Sequence, residues 1–504
     1  MRRERLVMVV TALAALSALS VAGAGATRAA QSGLPAAAQV ASGSIWANAI
    51  KLPGSVAVNA SGNDAVVLSV SCPSAGNCAA GGYYTDGSAN NQAFVASQRN
   101  GRWGSAIKLP GLAALNAGGN AVVLSVSCPS AGNCAAGGYY TDRATHQQAF
   151  VDSQRSGRWS TAIEVPGSAA LNPHGNDWVY SVSCPSVDRC TAGGYYTDGS
   201  YNIQAFVASQ QSGRWGGLIE LPGSAALNTG GNAVVLSVSC PSAGSCTAGG
   251  EYVDGLSRFQ AFVASEENGR WGRAIKLPGS AVLNAGGVAS VNWVSCPSAG
   301  NCTAGGYYTD HAHRNQALVA TERNGRWGNA IKVPGTATLN ARGNAQVYSV
   351  SCPSAGNCVV GGYYADRAYR LQAFVATERN DRWGNAIKVP GTATLNARGN
   401  ADVLSVSCPS AGNCAVGGEY ADRSAHFQAF VASERNGRWG TAIEVPGTAA
   451  LNAGGNAQVF SVSCPSAGNC TAGGDYTDSS SSTRGLVATE HNSRWGTAIN
   501  VPQT

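Results

Sequence analysis

Charged side chains are scarce in this chain. Asp, Glu, Lys and Arg make up 12% of its 504 residues, about half the usual share in soluble proteins. Methionine (2) and histidine (6) are also rare, and aromatic residues make up 7%. This composition excludes a disordered polyelectrolyte and a long coiled coil, both of which are rich in charge. It also excludes the basic surface of a typical nucleic-acid-binding protein, so no nucleic-acid partner is expected.

Long apolar runs are absent after residue 26. The one such run, Leu6 to about Ala26, follows a basic start at residues 2–5 and ends in small residues, which predicts a signal peptide over residues 1–30. The alternative is an uncleaved membrane anchor. Removing residues 1–30 lowers the formal net charge from +6 to about +3. We expect a secreted, extracellular protein with no membrane span after cleavage.

Cysteine, by contrast, is abundant and regularly spaced. The 16 cysteines form eight Cys-x5-Cys pairs, each starting 56 residues after the previous one. A strict period marks a repeat array instead of the three domains that length alone suggests. Paired cysteines in an exported chain predict disulfides. The pairs are Cys72/Cys78, Cys128/Cys134, Cys184/Cys190, Cys240/Cys246, Cys296/Cys302, Cys352/Cys358, Cys408/Cys414 and Cys464/Cys470.

The second repeat shows what each unit builds. Val122, Leu124, Val126 and Cys128 stand at alternate positions, with the small Ser125 and Ser127 between the last three, which predicts a strand with these four on one face. A Pro-Ser-Ala-Gly-Asn turn leads to a second strand, so the disulfide closes a hairpin. A third strand follows, then a turn that is Asn-Gly in several units, then a fourth strand with the pattern Trp-x-x-Ala-Ile-x-Val-Pro. Four short antiparallel strands per unit are typical of a β-propeller blade.

The sequence therefore predicts an all-β fold. Residues 31–42 form a linker, and residues 43–504 form a single eight-bladed β-propeller of four-stranded antiparallel blades with a 56-residue repeat and one disulfide per blade. The blades are expected over about residues 65–108, 121–164, 177–220, 233–276, 289–332, 345–388, 401–444 and 457–500. A ninth copy of the fourth-strand pattern, residues 46–53, precedes the first blade. We expect it to lie in or against the last blade, which also contains the copy at residues 495–502. Either copy could form the outermost strand of that blade. A monomer is expected.

The run SVSCPSAGNCAAGGYY…QAFVAS…GRWG resembles repeats of secreted actinobacterial β-propeller proteins, and its Gly-Gly is loosely kelch-like. The resemblance covers residues 43–500. It implies a propeller fold and says almost nothing about function. The Asp-box of sialidases is absent.

The turn between the second and third strands is the predicted binding site. Every copy begins with an Asp and continues with five residues that vary between otherwise similar units. A Tyr two residues before the Asp could stack on a sugar whose hydroxyls the carboxylate binds. The alternatives are an Asp that caps its own turn and a Tyr that packs between blades. The candidate residues are Asp86, Asp142, Asp198, Asp254, Asp310, Asp366, Asp422 and Asp478, with Tyr84, Tyr140, Tyr196, Tyr308 and Tyr364.

Two blades depart from the common pattern. Blade 3 carries Trp178 in its first strand, and blade 5 carries Asn292 and Trp293 where the others have Leu-Ser or similar pairs. These differences mark either a site near the propeller axis or local repacking. His311 and His313 share one variable turn but have no carboxylate framework around them, and one Asp per blade cannot supply the six to eight oxygens that Ca²⁺ prefers. We therefore expect no metal, cofactor or catalytic residue.

Near-identical units favour a secreted, non-catalytic binding propeller that recognises a glycan or a cell-surface protein through one face, because catalysis normally needs one asymmetric constellation. A glycoside hydrolase or lyase with a carboxylate site on the rim is the first alternative. A structural envelope protein is the second.

Overall fold

Eight antiparallel sheets, one per repeat, follow one another along residues 64–500, which are the residues that the computed structural model describes. They form an eight-bladed β-propeller with four-stranded blades, as predicted. The predicted signal peptide, the linker and the ninth fourth-strand pattern lie outside the described residues.

The first three strands of each blade are long and form a simple meander. The first strands are Ala65–Ser74, Val122–Ser130, Trp178–Ser186, Ala233–Ser242, Ala289–Ser298, Ala345–Ser354, Ala401–Ser410 and Ala457–Ser466. The second strands are Asn77–Thr85, Asn133–Thr141, Arg189–Thr197, Ser245–Val253, Asn301–Thr309, Asn357–Ala365, Asn413–Ala421 and Asn469–Thr477. The third strands are Asn91–Arg99, Gln147–Arg155, Ile203–Gln211, Phe259–Glu267, Asn315–Arg323, Leu371–Arg379, Phe427–Arg435 and Thr483–His491.

The fourth strand is split into two short segments, both paired with the third strand. The first segments are Arg102–Trp103, Arg158–Trp159, Arg214–Trp215, Arg270–Trp271, Arg326–Trp327, Arg382–Trp383, Arg438–Trp439 and Arg494–Trp495. The second segments are Ile107–Lys108, Ile163–Glu164, Ile219–Glu220, Ile275–Lys276, Ile331–Lys332, Ile387–Lys388, Ile443–Glu444 and Ile499–Asn500. The pattern predicted one continuous strand. The strand is interrupted where a backbone N–H turns to the preceding blade, as Ala162 N–H does in donating to Pro110 O over 2.8 Å.

One-turn helices stand in the loops between blades. They are Leu112–Leu115, Ser168–Leu171, Ser224–Leu227, Ser280–Leu283, Thr336–Leu339, Thr392–Leu395 and Thr448–Leu451. Each is preceded by a glycine in the left-handed region, such as Gly111 at φ 78°. Among residues 64–500 no helix is long and apolar enough to cross a membrane.

A β-bulge shifts the register of every first strand. In blade 2 the shift falls between Val123 and Ser125, so Val123, Val126 and Cys128 share the buried face. Val122 and Leu124 were also predicted on that face, but neither belongs to the core cluster of these residues: Val122 is buried elsewhere, and Leu124 is left only partly buried at the bulge. The bulge adds one residue to the first strand, so the alternation of buried and exposed side chains changes phase at this point.

The hydrophobic core is divided into eight clusters, one at each interface between blades. In the cluster between blades 1 and 2, Val95 of one blade packs with Val123, Phe150 and Trp159 of the next. The predicted disulfides all form, and the structure contains no free cysteine among its described residues. Each bridge closes the hairpin between first and second strands, so it also fixes residues of the interblade core.

The Gly-Gly pair of the second strand is required by close packing. A Cβ on Gly81 would lie 2.5 Å from Val123 Cγ1 of the next blade, and one on Gly82 would lie 1.9 Å from Val66 O. A larger residue at Gly81 would force the buried Val123 side chain to move, and one at Gly82 would require a backbone shift. The Gly-Gly pair is thus required by the packing of neighbouring blades in this ring.

Serine side chains join the first strands of neighbouring blades. Ser69 Oγ accepts a hydrogen bond from Val126 N–H at 3.0 Å. The same bond closes the ring, because Val70 N–H of blade 1 donates to Ser461 Oγ of blade 8 at 3.0 Å. Among the described residues, the strands of blade 8 all come from residues 457–500, and the C-terminal copy of the fourth-strand pattern pairs with the third strand there.

Candidate functional site

The turns of each blade lie on two opposite faces. The first and third turns meet on one face, where Gly101 N–H donates to Gly76 O at 2.8 Å. The Asp turn meets the interblade loop on the other, where Asn91 N–H donates to Gly119 O at 3.0 Å. We call this second face the loop face.

Each Asp carboxylate is used within its own turn. Asp86 Oδ1 accepts hydrogen bonds from Ser88 N–H at 2.9 Å and Asn90 N–H at 3.1 Å. Asp86 Oδ2 accepts from Gln92 Nε2 at 2.9 Å. In the other blades the corresponding Asp caps its turn in the same way, with Arg484 in place of the Gln in blade 8. The turn-capping alternative therefore describes the eight predicted Asp residues.

A buried asparagine extends this network to the next blade. Asn116 Nδ2 donates to Gln92 Oε1 at 3.3 Å, and Asn116 Oδ1 accepts from Thr141 N–H at 3.2 Å. Burial alone would raise the pKa of the Asp86 carboxyl, but hydrogen bonds from Asn90 N–H, Ser88 N–H and Gln92 outweigh it and the pKa is lowered. The sequence pattern did not predict that this Gln binds the Asp carboxylate, although a Gln stands six residues after the Asp in seven units.

The second Tyr of each blade is buried. Tyr84, Tyr140, Tyr196, Tyr308 and Tyr364 are between 2% and 5% exposed and belong to the interblade clusters. In blade 2 the Tyr140 hydroxyl donates to Glu164 Oε2 at 3.1 Å. These rings therefore have no free face for a sugar, and the packing alternative describes them.

The bridged cysteines are structural residues of the core and offer no surface to a ligand. The second cysteine of every bridge is the more deeply buried of the two, between 2% and 6% exposed, and belongs to an interblade cluster. Some sulfur atoms also contact the preceding blade, as Cys302 Sγ does at 3.2 Å from Thr247 Oγ1. These buried second cysteines are Cys78, Cys134, Cys190, Cys246, Cys302, Cys358, Cys414 and Cys470. Their hairpin turns lie on the face opposite the loop face, so the disulfides take no part in the candidate site.

The exposed aromatic rings of the loop face lie three residues after the Asp. Tyr201 and Tyr369 are 72% and 71% exposed, at φ 65° and 62°. Tyr201 stacks on His174 with ring centroids 3.8 Å apart and an interplanar angle of 11°. The Arg342 guanidinium lies 4.2 Å from the centre of the Tyr369 ring. Each ring is thus held by a planar side chain from the preceding interblade loop and keeps its other face free.

The blades also differ around the propeller axis. In each blade, one residue of the first strand pairs with the first Tyr position of the second strand, near the loop face. The pairs are Val66/Tyr83, Val122/Tyr139, Trp178/Tyr195, Val234/Glu251, Ser290/Tyr307, Gln346/Tyr363, Asp402/Glu419 and Gln458/Asp475. We call these the inner pairs. They change from apolar and aromatic in blades 1–3 to acidic in blades 7 and 8.

Aromatic rings gather on one side of the axis. Tyr139 stacks on Trp178 of the next blade at 4.2 Å, and Tyr180 and Tyr195 pack around the same indole. Trp293 remains 42% exposed on its first strand, where other blades carry serine. The departures noted in blades 3 and 5 thus fall at the axis.

Carboxylates gather on the other side. Burial raises the pKa of Asp402 to about 7. Burial, and then the neighbouring Asp402 and Asp475 carboxylates, raise the pKa of Glu419 well above its ordinary range. Glu251 stands apart in blade 4, where burial raises its pKa to about 7 although the neighbouring Ser290 hydroxyl opposes the shift. In the sequence, three of these acids could have been recognised because Glu251, Glu419 and Asp475 replace the first Tyr of the Tyr-Tyr pair.

No family model matches the chain. No curated protein sequence matches it significantly. Among solved structures it is similar to YCF48 from Cyanidioschyzon merolae, at 10% identity over 70% of this chain and 93% of that chain, with a TM-score of 0.41. The β-propeller domain of the Trilobed protease from Pyrococcus furiosus is 7% identical over 75% of this chain and 97% of that chain, with a TM-score of 0.41. An ulvan lyase from a polysaccharide lyase family is 7% identical over 84% and 91%, with a TM-score of 0.39. These similarities are too remote to indicate a shared ligand or activity.

Proposed function

We propose that the protein is a secreted, non-catalytic binding propeller that recognises glycans through the loop face. The supporting observation is the pair of exposed rings, Tyr201 and Tyr369, each stacked on a planar side chain. A Tyr ring offers an apolar surface to the C–H groups of a sugar and a hydroxyl to its polar rim. Because each ring is already ordered, little conformational entropy is lost when a ligand binds.

The two rings share one arrangement along the chain. His174 and Arg342 occupy the same position of the interblade loop, two residues after its first Asn. Where that position is Gly, the facing turn carries a residue other than Tyr, as with Gly230 and Ser257. Tyr is also a poor choice for a left-handed turn position on conformational grounds. Tyr201 and Tyr369 each occur with a planar side chain beneath them, at a position where Tyr does not stabilise the turn. This combination supports a role of the two rings in ligand recognition.

Catalysis on the rim has less support. The turn carboxylates are held by backbone N–H groups and Gln or Arg side chains, so they are neither free nucleophiles nor general acids. Two platforms on one rigid ring suit avidity toward a repeated ligand instead.

A glycan array tests the proposal with the wild type and matched variants. We expect binding that is lost in Tyr201→Ala/Tyr369→Ala and retained in Tyr201→Phe/Tyr369→Phe. Ala425→Tyr would place a third ring beside Arg398 and is expected to strengthen binding. Silence of the wild type on every glycan, or full binding by the double alanine variant, would contradict the proposal. In the first case, binding to a purified envelope protein would support the cell-surface alternative.

A further inference from the structure

The acidic inner pairs bring three carboxylates together without a basic side chain on the same strands. Glu419 pairs with Asp402 across the two strands of blade 7 and lies within electrostatic range of both Asp402 and Asp475, near the loop face. We call them the axial acid cluster. The eight first strands contain no Lys, Arg or His, and the second strands contain only Arg189, which begins its strand at the opposite face.

Three consecutive blades present an unsatisfied oxygen at this level. Gln346 Oε1, Asp402 Oδ1 and Gln458 Oε1 are shielded from solvent and accept no hydrogen bond within the protein. Gln346 and Asp402 are each 7% exposed. An unsatisfied buried acceptor costs about 1–3 kcal/mol. Because all three atoms are acceptors, the group that would satisfy them must bring donors or positive charge.

The fold itself does not need these acids. The same inner pair is Val66 with Tyr83 in blade 1 and Val122 with Tyr139 in blade 2, and both blades form the same sheet as blade 7. Carboxylates placed where a neutral pair suffices are a cost to stability, which indicates a role in binding.

Aromatic rings and accessible space lie beside the cluster. The Tyr348 and Tyr363 rings, with centroids 5.4 Å apart, are within electrostatic range of Asp402. Two residues beyond the inner pairs, Tyr348, Leu404 and Phe460 are only partly buried although they lie on the innermost strands. Solvent therefore reaches the axis next to the acids, and the partly buried Tyr348 ring offers a face to a cation there.

We propose that the axial acid cluster binds a small organic cation with several N–H donors, such as an alkyl diamine. Its donors would satisfy Asp402 Oδ1 and the flanking Gln oxygens, and its charge would offset the carboxylates. Among residues 64–500 no group of three or more His, Cys, Asp or Glu side chains is arranged to hold a metal ion, which favours an extended organic cation. This site is separate from the Tyr platforms.

Isothermal titration calorimetry at pH 8 with 1,4-diaminobutane tests the proposal. The probe is expected to bind, and 1,4-butanediol, of equal length but uncharged, at least ~10-fold more weakly. Asp402→Val/Glu419→Tyr copies the inner pair of blade 1 and is expected to weaken diamine binding at least ~10-fold. Glu251→Tyr, which removes an acid outside the cluster, should leave it unchanged. Circular dichroism and melting curves of both variants show whether they are folded.

Binding should also weaken at pH 5.5. Asp402 faces Glu419 on its own blade, Tyr348 and Tyr363 of blade 6 and, with Glu419, Asp475 of blade 8. No basic group on these strands opposes protonation, so the acids become neutral as the pH falls.

Equal binding of diamine and diol, calcium binding in place of the diamine, no diamine binding at millimolar concentration, or undiminished binding by the folded double variant would each overturn the proposal. The calorimetry uses a different ligand and a different site from the glycan array, so each proposal can fail without the other.

Discussion

Gln92 Nε2 donates a hydrogen bond to Asp86 Oδ2 at 2.9 Å, and through Gln92 Oε1 the same side chain accepts from Asn116. One amide thus ties the Asp turn of blade 1 to the loop that enters blade 2. The bond recurs between Gln372 and Asp366 at 2.9 Å. The residues that most resemble a ligand site on the rim are therefore part of the scaffold that holds the loop face in place.

Removal of an Asp from this network should lower stability. Asp86→Ala leaves two turn N–H groups and the Gln92 amide without an acceptor, and we expect a loss of about 1–2 kcal/mol in the free energy of unfolding. Ser88→Ala, in the same exposed turn, should change it by less than about 0.5 kcal/mol. Denaturant melts would measure both. An unchanged melt for Asp86→Ala with loss of glycan binding would restore the Asp to a ligand role.

The repeat period, the disulfides and the blade count could be predicted because each is set by local, covalently linked residues. The position of Leu124 could not, since the bulge depends on how Gly137 and Gly138 pack against the neighbouring strands. The Asp was visible as an invariant of the repeat. Its hydrogen-bond partners were not, because an Asx turn and a ligand site place the same residue at the same position.

The axial acids show a further limit. Glu251, Glu419 and Asp475 stand out when the units are aligned, because they replace a Tyr. Whether such a position faces solvent, a neighbouring blade or the axis depends on the bulge and on the order of strands within the blade. Only the folded ring brings Glu419 of one blade near Asp475 of the next.

The glycine at the centre of the second strand should tolerate no side chain. In Gly82→Ala the new Cβ would meet the Val66 carbonyl at 1.9 Å, so the hairpin must shift and we expect a loss of about 3 kcal/mol. Gly104→Ala is the control, because its Cβ would have its nearest neighbour at 3.5 Å. Thermal melts would compare the two. Equal melting temperatures would show that the strands can separate at no cost.

Stability should fall with rising pH because of Glu251. Its pKa rises from an ordinary value near 4.5 to about 7 in the folded protein, so the folded state holds the proton more tightly than the unfolded state. This contribution is complete below about pH 4.5 and is lost as the pH rises to about 7. The free energy of unfolding of the wild type minus that of Glu251→Gln should therefore decrease over this range, by at most ~3 kcal/mol. A constant difference from pH 4 to 8 would contradict the assignment.

One buried acid should be dispensable. Asp152 stands in the third strand of blade 2, where the other seven blades have Ala, and its Oδ2 is buried without a partner. Burial raises its pKa to about 7 although hydrogen bonds from Ser160 and Ser153 N–H oppose the shift. Asp152→Ala/Ser160→Gly restores the common pattern and should raise the free energy of unfolding by about 1–2 kcal/mol at pH 7. The reciprocal Ala208→Asp should lower it by about 3 kcal/mol; a stable Ala208→Asp protein would refute this account.

The closing interface of the ring should open before the others. Ser461→Ala/Ser463→Ala removes the acceptors of Val70 N–H and Cys72 N–H, at a cost of about 1–3 kcal/mol for each orphaned group. The matched variant Ser69→Ala/Ser71→Ala removes the same bonds between blades 1 and 2.

Both double variants should lose similar stability, but their local dynamics should differ. Blades 1 and 2 are adjacent along the chain, whereas blades 1 and 8, within residues 64–500, are held together by non-covalent contacts such as Thr483 N–H to Asp64 Oδ1 at 2.7 Å. Without a covalent connection to limit separation, the weakened closing interface should open by local unfolding. Hydrogen exchange should therefore speed up in the first strands of blades 1 and 8 for Ser461→Ala/Ser463→Ala alone. Equal exchange in the two variants would mean that the ring opens with the same ease at every interface.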